Sequence, residues 1–291
     1  MFFVHTIVNF DLSWYLLNYN VLVKINMKYN LSVISPKTWI HHSAVNEVVL
    51  YFYFMLKKKA DVQISFNRID IDKINIIFFG FNLPKDAKIP KNSIIFQSED
   101  LDKSTDWIFK GDKGTNYINL LNNHNVIDYS EFNLETNVIN HQNKNYLPLL
   151  YCEDLKFKFE RRKKDFLLFY GCVTDHRKNF LNKISKYNIK ILDASECWNY
   201  GYYRDLAISE TLGVLNVHKT ELISKFQSVR CFYPLINNVP VVTQEFKYNQ
   251  GSSWYKDSVY ILEDLSLESL DIIFDQLKDE KKQKEKFELL K

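Results

Sequence analysis

The residues with the most chemistry stand where apolar runs stop. "FYGCVTDHRKNFLNKI", Phe169 to Ile184, leads an apolar run into Gly171, and Thr174, Asp175, His176 and Arg177 then open a helical stretch. Glycine lets a backbone turn close to a ligand. The free N–H groups and dipole of a helix start attract an anion. Arg177 adds a planar charge where a glycine-rich phosphate loop would use more backbone. Three later runs end in Asp193-Ala194-Ser195-Glu196, Asn216-Val217-His218-Lys219 and Thr243-Gln244-Glu245. Cations, imidazoles, hydroxyls and carboxylates suit a nucleotide diphosphate, with arginine on phosphate and a carboxylate on the ribose hydroxyls. The competing account of the opening stretch is a capped turn, with Thr174 or Asp175 as N-cap and Arg177 in solvent.

These ends need a scaffold that brings them to one rim. In the first half, Leu31–Ile34, Val62–Phe66, Ile74–Phe79, Ser93–Gln97 and Val126–Tyr129 read as strands. A helix from about Ala44 carries Val45, Val48, Val49, Phe52, Met55 and Leu56 on one stripe. In the second half, strands at Asp165–Tyr170, Ile189–Leu192, Gly213–Val217, Val239–Thr243 and Val259–Leu262 alternate with helices at Lys178–Lys186, Tyr203–Ser209, Ser224–Tyr233 and from Leu267. Such alternation predicts α/β architecture: two Rossmann-like parallel sheets facing a cleft. The expected division is an extension at 1–26, a first domain at 27–150, a linker at 151–164 and a second domain at 165–291. The run Arg161-Arg162-Lys163-Lys164 reads as solvated linker. Residues 1–26 read as a peripheral extension or a start-site artefact, because strand one begins after Met27.

Composition narrows the partners. A chain of 291 residues with 46% hydrophobic content can fill two cores. A net charge of +3 without a basic stripe argues against nucleic acid as partner. Cys152, Cys172, Cys197 and Cys231 stand apart with no C-x-x-C pair, so isolated buried thiols in a reducing cytoplasm are expected. No apolar run reaches the roughly 18 residues of a membrane span, and the N-terminal stretch lacks the basic start and cleavage site of a signal peptide.

"FYGCVTDHRKNFLNKI", "VLNVHKTE" and "VRCFYPLINNVPVVTQE", in that order, resemble the C-terminal domain of bacterial GT-B-type glycosyltransferases of the surface-polysaccharide kind. "HHSAVNEVVL", "INIIFFGFNLP", "SIIFQSEDL" and "VIDYSEFN" resemble their first half. The resemblance runs from about Lys28 to the last helix. It implies sugar transfer from a nucleotide-sugar donor to a glycan or lipid-linked glycan acceptor, with the last helix crossing back to the first domain. Gly171, Thr174, His176, Arg177, Asn216, His218, Arg230 and Glu245 would bind the donor. With no D-x-D pair at a strand end, no metal or other cofactor is expected. His42 is the first candidate for an acceptor base and Glu99 the second; Ser43, Gly80 and Asp128 would lie on the acceptor side. The expected location is cytoplasmic or peripheral at the inner face of the membrane; docking of the last helix within the molecule is preferred to membrane contact through its basic stretch, because Glu280, Glu285 and Glu288 dilute that charge. Two departures stand out. Gln227 replaces a carboxylate of an E-x-x-R helix, and Asn237 replaces the first of two glutamates eight apart. They favour a rival reading, a catalytically inactive nucleotide- or glycan-binding protein.

Overall fold

β1 (Lys28–Val33) is buried along almost its whole length, the polar Asn30 and Ser32 included, and lies inside a sheet. The computed structural model describes residues 27–36, 40–101, 106–139, 144–158, 160–194, 199–219, 226–244, 255–262 and 266–289. The extension at 1–26 lies outside these residues, as do Glu245, Cys197 and Glu196.

After a 3-10 turn at Ile40–Val45, α1 (Asn46–Leu56) packs Val48, Val49, Phe52 and Leu56 inward. β2 (Asp61–Phe66), β3 (Ile74–Phe78) and β4 (Ile94–Gln97) follow, then α2 (Asp106–Phe109), α3 (Gly111–Asn123), β5 (Asn125–Asp128), α4 (Glu131–Glu135) and β6 (Lys144–Tyr146). The strands form a parallel sheet in the order β2-β1-β3-β4-β5-β6. A polar cluster inside the sheet is satisfied: Asn30 donates to Asn75 at 2.9 Å, and Ser32 donates to the Arg68 carbonyl at 2.7 Å.

The second domain runs β7 (Leu167–Gly171), α5 (Asp175–Lys183), β8 (Ile189–Asp193), α6 (Tyr202–Glu210), β9 (Gly213–Asn216), α7 (Ser228–Ile236), β10 (Val241–Gln244), β11 (Tyr260–Leu262), α8 (Leu267–Gln276) and α9 (Glu280–Glu288). Its sheet is also parallel, in the order β11-β10-β9-β7-β8. The molecule is thus two parallel-sheet α/β domains, as the alternation of strands and helices implies.

One apolar core runs across both domains, and the second domain has a further core of its own. Tyr51 of α1 meets Phe232 of α7 edge to face at 6.2 Å, and the Tyr255 hydroxyl donates to the Leu149 carbonyl. The linker is not simply solvated. Arg161 donates to the carbonyls of Asn238 and Thr211, Lys163 pairs with Glu280 at 2.9 Å, and Lys164 pairs with Glu210 at 2.5 Å. The carbonyls exposed at the ends of α6 and α7 attract this basic run. The stretch expected as one last helix is two. Asp279 caps α9 by accepting from the N–H groups of Lys281 and Lys282, both at 3.1 Å. The hydrogen bonds of α9 run to the linker and second domain: besides Glu280, Lys286 donates to the carbonyls of Asp257 and Val259. Among the described residues no helix is long and apolar enough to cross a membrane.

Candidate functional site

In a parallel sheet all carboxyl ends share one edge, and ligands of open α/β sheets bind outside that edge. Here the edges of both sheets open into one cavity of about 430 Å³. The ends of β3, β4 and β5 supply Phe79, Glu99 and Tyr129; the ends of β7, β8 and β9 supply Gly171, Ala194 and Lys219.

Glu99 is aimed by its backbone. The Gln97 side chain accepts from the Glu99 N–H at 3.1 Å and donates to its carbonyl at 2.7 Å, and Asn133 donates to the same carbonyl at 2.9 Å. Burial pushes the Glu99 carboxyl up to about 7, and the neighbouring Asp100 charge adds to the rise. Lys219, Lys113 and a hydrogen bond from Trp107 oppose it. A carboxyl balanced near neutrality suits proton transfer.

Arg230 lies in the first turn of α7, and its carbonyl accepts from the Tyr170 hydroxyl at 2.7 Å. Its guanidinium carbon stands 5.9 Å from the centre of the Phe169 ring. Gly171 makes that possible: it has φ +135°, and a Cβ there would sit 2.9 Å from Arg230 Nη2. Among the described residues no carboxylate pairs with Arg230, and its buried Nη1 has no hydrogen-bond partner. A buried, unanswered guanidinium N–H beside a cavity invites an anion.

Across the cavity the domains clasp each other. Glu47, in the first turn of α1, forms an ion pair with Arg204 of α6, both buried. Arg204 also lies 5.7 Å from the Tyr170 ring centre, and His41 Nδ1 stands 3.4 Å from the Tyr200 hydroxyl. Burial holds the Arg204 pKa down.

The expected site residues divide. Glu99, Gly171 and Arg230 line the cavity. His42 does not; its Nδ1 sits 2.9 Å from the Ser35 hydroxyl and its ring edges Phe66, while its neighbour His41 faces the cavity. Ser43 lies in the same 3-10 turn, away from the cavity lining. Gly80 lines a separate groove of the first domain. Asp128 is buried, accepting from the Ser130 N–H at 2.8 Å and from Asn133. Thr174 caps α5 and donates to the Lys219 carbonyl at 2.8 Å. His176 is half-buried beside it.

Arg177 is only 2% exposed and stands behind the cavity wall. Its Nε donates to the Val217 carbonyl at 3.0 Å and its Nη1 to the Cys172 carbonyl at 2.8 Å. Asn216 is buried against Thr243, and His218 is buried with its N–H on Gln244. Asn237 is structural, accepting from the Phe157 N–H at 2.8 Å, whereas Gln227 lines the cavity. Cys172 is exposed at the cavity wall, unlike the buried Cys152 and Cys231, because it follows the Gly171 turn rather than lying in the strand. Sequence reasoning missed Glu47 and Arg204. An acid in a first helical turn and an arginine in a short helix are ordinary features, and only the meeting of the two helices gives them meaning.

No protein-family model matches the chain. It is 32% identical over 128 residues to uncharacterized protein R358 of Acanthamoeba polyphaga mimivirus, across 43% of this chain and 42% of that protein. It is 25% identical over 125 residues to uncharacterized protein L137 of the same virus, across 41% of this chain and 17% of that one. The match thus spans less than half of either relative. Among solved structures it is similar to WaaG, a glycosyltransferase involved in lipopolysaccharide biosynthesis, with 10% identity, TM-score 0.49, and 91% and 94% of the two chains covered. It is also similar to a Staphylococcus aureus TarM variant in complex with Fondaparinux, alpha-GlcNAc-glycerol and UDP, with 14% identity, TM-score 0.48, and 84% and 55% covered. Likeness at this level speaks to architecture at most, so the chemistry has to come from the cavity.

Proposed function

We propose that the protein is a glycosyltransferase that moves a sugar from a nucleotide-sugar donor to a hydroxyl of a glycan or lipid-linked glycan, without a metal ion. The observation that carries this reading is the pairing, in one interdomain cavity, of an unanswered buried guanidinium N–H on Arg230 with a Glu99 carboxyl balanced near pH 7. In the proposed step Glu99 takes the proton of the acceptor hydroxyl. The freed oxygen attacks the anomeric carbon, inverting it, and the bond from that carbon to the diphosphate oxygen breaks. Arg230 and Lys219 receive the charge that develops on the departing diphosphate. Aromatic walls at Phe79, Tyr129 and Tyr170 suit the apolar faces of sugar rings.

Gln227, at the cavity wall where the resemblance places a carboxylate, favours a second reading: binding without turnover. One experiment separates the two. The protein is incubated with a panel of nucleotide sugars in the presence of a chelator, and free nucleoside diphosphate is measured. Release supports the enzyme. Thermal stabilisation by the same compounds without release supports the binding protein; about 2.7 kcal/mol is expected at ~100 times the dissociation constant. No stabilisation and no release would remove both.

A further inference from the structure

Phe169, fully buried in β7, has two guanidinium groups near its ring, Arg177 at 5.6 Å and Arg230 at 5.9 Å from its centre. Like charges near one buried ring repel, and buried charges are ordinarily paired. Among the described residues no carboxylate pairs with either. Burial pushes Arg177 down to about 8, and the Arg230 charge pushes in the same direction.

The two arginines do different work. Arg230 keeps a free N–H at the cavity. Arg177 spends its Nε and Nη1 on the carbonyls of Val217 and Cys172, so it ties the end of β9 to the end of β7. Thr174 makes a parallel tie to the Lys219 carbonyl. These two strand ends carry the parts that present positive charge to the cavity: Gly171, on which the Arg230 guanidinium rests, and Lys219.

We infer that Arg177 is a positioning residue of a pyrophosphate site: Arg230 touches the anion, and Arg177, one layer behind, holds the turn beneath Arg230 and adds a second positive charge without contact. The inference rests on the donor reading for the anion's identity as part of a nucleotide, but not for its chemistry. A dianion at Arg230 Nη1 would supply the countercharge that both guanidiniums lack.

The test is calorimetric titration of the full chain with inorganic pyrophosphate at neutral pH, for the parent, Arg230→Gln, Arg177→Lys and Arg177→Gln. Arg230→Gln should weaken binding at least about tenfold, and Arg177→Gln about tenfold, equivalent to about 1.4 kcal/mol. Arg177→Lys keeps the charge but cannot reach both carbonyls with one ammonium, so it should weaken binding less than Arg177→Gln does, by about threefold. Three results would overturn the inference: a parent that ignores pyrophosphate, an Arg177→Gln that binds like the parent, or an Arg177→Lys as weak as Arg230→Gln. Should Arg177→Gln not fold, the lysine variant still decides, because a purely structural arginine would not be rescued by it. Nucleotide-sugar turnover is read separately, so parental pyrophosphate binding without turnover removes the enzyme reading and leaves this site standing.

Discussion

Glu99→Gln isolates the group on which the proposed chemistry turns. The parent carboxyl moves from an ordinary 4.5 to about 7 on folding, chiefly through burial. At 1.36 kcal/mol per unit, a shift of that size amounts to about 3 kcal/mol. This is an upper bound, because the carboxyl faces the cavity and water screens it. The folded chain holds the Glu99 proton more tightly than the unfolded chain. That favours folding below the unfolded value, and the advantage is lost as pH rises from about 4.5 through 7. Glutamine does not titrate, so subtracting the variant's urea stability from the parent's at each pH should leave a decline confined to that window. Activity should move the opposite way. A base works only when deprotonated, so parental sugar transfer should rise through about pH 7 and level off above it. Glu99→Gln should transfer about 10²- to 10⁴-fold more slowly and lose that inflection. A variant with parental rate and parental pH profile would refute the base assignment. A flat difference in stability would refute the environment deduced for the carboxyl.

Other outcomes follow from the same geometry. Gly171→Ala puts a Cβ at φ +135° and 2.9 Å from Arg230 Nη2, so it should cost about 1–3 kcal/mol in urea titration and weaken pyrophosphate binding. Arg204→Ala leaves Glu47 buried without its partner and should cost about 3–5 kcal/mol, whereas Glu47→Leu with Arg204→Met should recover most of the loss; additive single-variant losses in the double variant would contradict this. Thr174→Ala removes the cap of α5 and should cost about 1 kcal/mol. An unchanged melting temperature would assign that cap to another group.

Much of the scaffold was legible because each domain repeats one strong signal, a short apolar run closed by polar residues. The ten strands expected from that signal are present. What escaped lacked it. β6 is the half-buried Lys144-Asn145-Tyr146, held by pairing with β5 rather than by an apolar pattern. α3 buries only Gly114, Tyr117 and Leu121, too thin a stripe among its asparagines and lysine to stand out. The break between α8 and α9 depends on Asp279, whose capping role shows only once a helix starts behind it.

The site was legible to the level of the rim but not of the side chain. Parallel strands imply that polar residues after them gather at one edge, and Gly171, Lys219 and Glu99 do. Spacing along the chain does not say which way a side chain turns from that edge. Arg177 sits two residues past the start of α5 and turns inward, because the carbonyls of Cys172 and Val217 lie unpaired beneath it and burial without them would leave its donors unmet. Arg230, an equally ordinary arginine in sequence, turns toward the cavity because Gly171 removes the one Cβ that would block it. The anion site therefore depends on a glycine and an arginine about sixty residues apart, brought together where the Tyr170 hydroxyl of β7 donates to the Arg230 carbonyl of α7 and by no local motif. The same reasoning separates His41 from His42: adjacent residues of one 3-10 turn point to different sides, so the choice of the second over the first could not be made from their order alone.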